Sequence, residues 1–186
     1  MKRKTTKELL AESFLELAQK KRIDKITITD ITNNCCMSQS TFYNHFKDKY
    51  DMIVWIYTNH MREIMYRIDN KTFLWKDCLL DAALYYSQNC EFIKNALKHT
   101  RGQDSFVENV RRINTEFLKA EVQKHLMTEY IPDEIMGMIK FYAYGIVQFM
   151  LEWLLGDMNL SPEQVADIWD KSLPETLRKY LYPQIL

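Results

Sequence analysis

Between Ser38 and Phe46 the chain places six hydrogen-bonding side chains on one short stretch: Gln39, Ser40, Thr41, Tyr43, Asn44 and His45. Phe42 and Phe46 fall at i and i+4, so on a helix they share the buried face and leave those six pointing outward. No Lys, Arg, Asp or Glu occurs from Gln39 to Phe46. A solvated helix face is normally rich in such charges. Short donors and acceptors without charge suit the base edges of a DNA major groove, which Gln, Ser, Thr and Asn can read. The same face is equally consistent with a polar cap on a small helical cluster.

The preceding residues supply the frame. Thr27 is a good N-cap, and Asp30 puts a carboxylate in the first turn that follows. Ile28, Ile31 and Cys35 lie at i, i+3 and i+7, one apolar face of a two-turn helix. Asn33 to Cys36 are poor helix formers and predict its end. Cys36-Met37-Ser38 makes a turn, with Met37 inward and Ser38 capping the next helix. Two short helices joined this way form a helix-turn-helix. Upstream, Leu10, Phe14, Leu17 and Ala18 mark an amphipathic helix over 6–21, and Lys2, Arg3, Lys4 and Lys7 form a basic arm suited to phosphate or minor-groove contact.

The run SQSTFYNHFKDKYDM resembles the signature of the tetracycline-repressor (TetR) family of bacterial regulators. Ser38, Phe42, Tyr43, His45, Phe46 and Lys49 match it, and Met52 stands where the family has Leu. The departures lie in and before the turn: Thr32 and Cys35 replace small alanines, and Cys36 replaces the usual glycine. The wording TFYNHFKDKYDMIVWIY is also similar to the branch containing the dihydroxyacetone kinase regulator, which keeps a protein co-regulator open as an alternative partner. The resemblance implies a homodimeric, sequence-specific repressor on a pseudo-palindromic operator in double-stranded DNA. Gln39, Ser40, Thr41 and Asn44 are then the expected base readers. Tyr43, His45 and Lys49 are the expected phosphate contacts, with Thr27 and Thr29 adding further backbone contacts.

Net charge is zero, which by itself argues against nucleic acid, but its distribution does not. Residues 1–50 hold ten Lys/Arg against six Asp/Glu, a net of +4; residues 51–186 carry the balancing −4. A basic head on an acidic body is expected where one end meets phosphate. Cys35, Cys36, Cys78 and Cys90 form no C-x-x-C pair and read as small buried hydrophobes in a reducing cytoplasm. His60, His99 and His125 lack metal-ligand spacing, and no secretory leader precedes the first helix. No metal, cofactor or membrane association is expected.

The expected fold is all-α, with a helix-turn-helix domain over 1–50 and a helical effector-binding and dimerisation domain over 51–186. Tyr50, Ile53, Tyr57, Met61, Ile64 and Ile68 mark a helix over 47–70 that joins the two. Further helices are predicted at 74–88, 90–100, 104–128, 133–156 and 163–181, with turns at Arg101-Gly102-Gln103 and Ile131-Pro132-Asp133 and a break at Pro174. The segment Ile135–Leu155 is long enough to span a bilayer, but Lys140, Tyr144, Gln148 and Glu152 recur four apart as a polar stripe. A helix buried by its own body and by a second subunit fits better. Val165, Ile168, Trp169, Ser172, Leu173 and Tyr180 are the expected inner side of the last segment. Trp75, Tyr85, Tyr86, Phe106, Phe117, Tyr142 and Trp153 are large side chains, several with polar tips, fit either for core packing or for a pocket. With no dominant charge nearby, such a pocket suits a small neutral or aromatic effector. No phosphate loop, nucleophile elbow or metal cluster points to an enzyme.

Overall fold

The computed structural model describes residues 3–69, 74–100, 105–126, 128–156 and 158–182, without the side chains of Met65, Tyr66, Ile68 and Asp69. The predicted turn at Arg101-Gly102-Gln103 and the inward placement of Ile68 lie outside these residues. Every regular element among them is helical: α1 (Thr6–Ala18), a 3₁₀ turn (Ile23–Lys25), α2 (Ile28–Asn34), α3 (Gln39–Tyr43), α4 (Lys49–Asp69), α5 (Trp75–Gln88), α6 (Cys90–His99), α7 (Phe106–Leu126), α8 (Asp133–Leu155), α9 (Pro162–Lys171) and α10 (Glu175–Leu181). Pro174 is the N-cap of α10 and divides the last predicted segment in two, because a proline lacks the N–H that would continue α9.

The chain divides into two compact units, Met1–His60 with Asn89–Glu108, and Met61–Gln88 with Asn109–Leu186. The first is therefore larger than a cut at residue 50 implies. It takes in α6, whose Phe92, Ile93 and Ala96 are buried. Leu10, Phe14, Ile23, Ile31 and Phe42 are wholly buried in this unit. The Phe14 and Phe92 rings meet edge to face at 6.1 Å. Each such buried side chain stabilises by roughly 1.5–3 kcal/mol relative to exposure. Reciprocal caps begin α1 (Thr5 with Glu8) and α2 (Thr27 with Asp30), and Ser38 caps α3. Ser13 on α1 donates its hydroxyl to Ile31 O (2.7 Å) and accepts from Asn34 Nδ2 (3.1 Å), which fixes α2 on α1.

In the second unit α5 packs along α9, and α8 meets α10. Ile139, Tyr142, Ala143, Val147, Met150, Trp153 and Leu154 form the buried face of α8, while Lys140, Tyr144, Gln148 and Glu152 are exposed, as the four-residue stripe predicts. Gly156 closes α8 in the left-handed region at φ 100, the usual glycine C-terminus. Ser172 departs from expectation: it is the exposed C-cap of α9 rather than part of its inner side. No helix of the described residues is long and apolar enough to cross a membrane.

The cysteines also depart from a uniformly buried set. Cys78 is buried, and burial pushes its thiol up to about 12. Cys35 and Cys90 are half-buried, Met37 likewise, and Cys36 is exposed. Cys36 adopts φ 56, and among the described residues it alone of the non-glycines has a positive φ. The Cβ of an L-residue crowds the carbonyl there, at a cost of about 1–2 kcal/mol.

Two outcomes follow from these local geometries. Cys36→Gly removes the crowding but loosens the unfolded chain by about 0.4–1 kcal/mol, so a net gain of roughly 0.5–1 kcal/mol is expected in urea unfolding. Asp30 accepts from Lys21 Nζ (2.7 Å) and Thr27 N–H (2.8 Å), which hold its carboxyl down at about 2. A folded pKa below the unfolded value of about 3.9 adds stability above pH 4. That stability is lost as pH falls towards about 2. Asp30→Asn should flatten this limb of an acid-unfolding profile and leave the neutral-pH slope unchanged.

Candidate nucleic-acid interface

The outward face of α3 is built as its spacing suggests. Gln39, Ser40, Tyr43 and Asn44 are exposed, Thr41 and His45 half-buried, and Phe42 fully buried beneath them. Ser38 Oγ accepts the Thr41 N–H (3.1 Å) and lies 2.7 Å from Ser40 Oγ and 2.8 Å from Thr41 Oγ1, a continuous hydroxyl cluster at the start of the helix. Gln39 Nε2 donates to Thr29 Oγ1 (2.7 Å), linking α3 to α2 across their exposed sides. One amide proton and the carbonyl oxygen of Gln39 stay available to a ligand while its orientation is set. Tyr43 is 57% exposed, its ring edge-on to Phe42 at 5.5 Å. Thr27 is exposed, but its hydroxyl oxygen accepts the Asp30 N–H (3.1 Å), so its first role is to start α2.

Beside this face lies a groove of about 750 Å³ lined by Arg3, Lys4, Lys7, His45, Trp55 and Asn59, with the first turn of α1. Lys7 Nζ sits over the rings of Phe46 (5.1 Å) and Trp55 (5.6 Å), which fixes one cation of the basic arm on the folded surface. Lys4 pairs with Glu12 at 2.5 Å. The arm residue Lys2 lies outside the described residues. Trp55 was not singled out by periodicity, since it falls between the buried positions of α4 and carries no motif.

Lys49 has a different setting from the phosphate contact that the family position implies. Its ammonium donates to Ile23 O (2.7 Å), Ile26 O (2.8 Å) and Asp24 O (3.1 Å). Three protons meet three carbonyls, so the group is fully engaged by its own chain. Burial lowers its pKa, with Asp24 opposing the shift. On the other side of the same connection, Asn95 of α6 accepts from Ile23 N–H and donates to Ala18 O and Lys21 O. Sequence reading missed Asn95, because a lone Asn within an amphipathic helix has no spacing signal.

The seven aromatic candidates of the body do not form one group. Phe106 belongs to the first unit, where its ring meets Tyr57 (5.9 Å) and Phe92 (6.5 Å). The other six belong to the second. Trp75 stacks on Phe117 at 5.8 Å; Tyr86 contacts Tyr85 and Trp169; and Tyr142 donates its hydroxyl to Trp169 O (2.8 Å). Burial raises the Tyr85 phenol to about 12, with the Glu63 charge acting the same way, and holds Tyr142 well above the ordinary value. Trp153 donates its indole N–H to Leu160 O (2.9 Å) and so braces the turn after α8. No group of three or more metal-ligating side chains occurs among the described residues.

The family model described as "Transcriptional regulator C-terminal region" matches residues 74–175. The chain is 28% identical over 85 residues to the HTH-type dhaKLM operon transcriptional activator DhaS of Lactococcus lactis subsp. lactis (strain IL1403). That alignment spans 45% of this chain and 44% of the relative, so it covers less than half of the relative's length. Among solved structures, a dihydroxyacetone kinase operon activator DhaS is similar over 97% of this chain and 96% of its own, with TM-score 0.64 and 18% identity. A TetR transcriptional regulator from Rhodococcus sp. RHA1 is similar over 98% and 99%, with TM-score 0.60 and 13% identity. At such identities the structural likeness is one of fold. The family match covers more than half of the sequence, and with the fold it gives the assignment: this chain belongs to the TetR family of transcriptional regulators.

Proposed function

We propose that this regulator binds a pseudo-palindromic operator in double-stranded DNA as a homodimer, with α3 in the major groove. The observation that carries the reading is the exposed, uncharged hydrogen-bonding face of α3 beside a cationic groove. In this reading Gln39, Ser40, Thr41 and Asn44 read base edges, with Gln39 oriented by its bond to Thr29. Tyr43 and His45 contact phosphates, as do Arg3 and Lys7 from the groove. Thr27 and Thr29 lie on the exposed side of α2 and approach the backbone.

The dimer forms through α8 and the helices after it. Phe141 is 81% exposed, and Gly137 and Gly145 lie four residues to either side with open space where a Cβ would stand. A ring between two hollows on one helix face suits the same face of a second copy, each ring seating over the other's glycines. Repression follows where the operator overlaps a promoter, and activation, the role in the DhaS relative's name, where it lies upstream. The Trp75, Tyr85, Tyr86, Phe117, Tyr142 and Trp153 set in the body is the proposed site of a small neutral or aromatic effector. A protein co-regulator is the second reading. Tyr130, 69% exposed and outside α8, favours it.

Selection of bound sequences from a random DNA pool tests the DNA reading; enrichment of an inverted repeat is expected, and no enrichment by folded dimer would sink it. Gln39→Ala should relax preference at one base pair per half-site by about 1–3 kcal/mol. Sedimentation should give a dimer at micromolar concentration, and Phe141→Glu a folded monomer with weakened operator binding.

A further inference from the structure

The connection between α1 and α2 cannot satisfy its own backbone. Ile23 and Ile26 are buried in it, at 0% and 1% exposure, so their own polar groups need partners within the protein. Local bonds supply some: Lys20 and Lys21 donate to Leu17 O, Lys25 to Arg22 O and Ile26 to Ile23 O. The Ile23 N–H and the carbonyls of Ala18, Lys21, Asp24 and Ile26 are instead met by two side chains from elsewhere in the unit. Asn95 of α6 accepts from Ile23 N–H (2.9 Å) and donates to Ala18 O (2.9 Å) and Lys21 O (2.8 Å). Lys49, the first residue of α4, donates to Ile26 O (2.8 Å) and Asp24 O (3.1 Å), and also to Ile23 O (2.7 Å). Asn95 grips the upstream half and Lys49 the downstream half, and both hold Ile23. Ile26 then leads directly into Thr27, the cap of α2, and α2 carries the Thr29 that orients Gln39.

We propose that Lys49 and Asn95 are a matched pair of positioning residues for operator binding, and that Lys49 acts through the α1–α2 connection and not on phosphate. The pair sets where α2, and with it α3, stands relative to α6. A displacement of α6 moves the Asn95 carboxamide against Ile23 and is felt at the reading face through Thr27 and Thr29. This inference rests on the DNA-binding reading above.

The test uses the full chain and the sequence that the wild type enriches. Lys49→Arg keeps the charge, but a planar guanidinium cannot direct three donors at three carbonyls converging on one point. A loss of affinity of about tenfold is expected for Lys49→Arg and for Asn95→Leu, within the usual range of coupling between sites. The slope of log affinity against log salt should stay at the wild-type value, and the Ile23 amide should exchange faster with solvent. The double variant should lose much less than the product of the single losses, because both side chains hold one segment. If Lys49→Arg binds like wild type and Lys49→Met lowers the salt slope by about one, Lys49 is a phosphate contact and the proposal fails. Multiplicative losses would overturn the pairing. Should Asn95→Leu unfold, Asn95→Asp, which keeps the acceptor for Ile23 and loses both donors, reads the affinity loss and the Ile23 exchange. Should Lys49→Arg unfold, Lys49→Met reads the salt slope, which stays at the wild-type value if the proposal holds. If the wild type enriches no DNA, the positioning role falls with the DNA reading, while amide exchange at Ile23 still reports whether the clip itself exists.

Discussion

A helix of five residues cannot hold its own shape in water, since nucleating the first turn fixes several dihedrals for a single hydrogen bond. α3 is such a helix, so its reading face depends on what anchors it from beneath. The anchor is Phe42, wholly buried, with its ring against Phe46 and Tyr43. Phe46 extends the cluster to Trp55 on α4 at 5.7 Å. Apolar anchoring from below lets the upper side do without charged, helix-favouring residues. That is why Ser40 and Asn44, both weak helix formers, can occupy it. The Ser38 cap and hydroxyl cluster complete the first turn with hydrogen bonds that leave the outer surface polar and neutral.

Much of this head was legible in the sequence because its signals are local. The Thr27–Asp30 and Ser38 caps, the Phe42/Phe46 pair and the Leu10/Phe14/Leu17/Ala18 stripe each act within a few residues, and the structure places them as their spacing implies except Leu17, which is only half-buried. The roles that sequence reading missed are long-range. Asn95 bonds a backbone more than seventy residues earlier, and Lys49 one more than twenty residues earlier. A side chain that completes another segment's backbone has no periodicity to reveal it. The family resemblance implied a phosphate contact for Lys49, and nothing in its spacing pointed to the carbonyls of Ile23, Asp24 and Ile26. The extension of the first unit to α6 was hidden for the same reason, since Phe92, Ile93 and Ala96 show an apolar face but not its destination.

The body shows the converse. The α8 pattern of buried Ile139, Ala143, Val147 and Met150 against exposed Lys140, Tyr144, Gln148 and Glu152 follows helical period closely. The aromatic residues do not sort by period, because size and a polar tip serve packing and recognition alike. Tyr142 and Trp153 each give their donor to a backbone carbonyl, and Trp75 gives its face to Phe117. The first two contacts tie α8 to α9 and to the turn between them, and the third ties α5 to α7, so the same side chains that suit a ligand also hold the second unit together.

The left-handed turn residue Cys36 bears on how this sequence is maintained as well as on how it folds. Both cysteine codons, TGT and TGC, become glycine codons through one change at the first base. The relaxed turn is therefore a single mutational step away, and the strain of roughly 1 kcal/mol is of the size that one substitution commonly removes. That step would also remove the exposed thiol and the stiffness that a side chain gives the turn, quantities to which an unfolding free energy is blind.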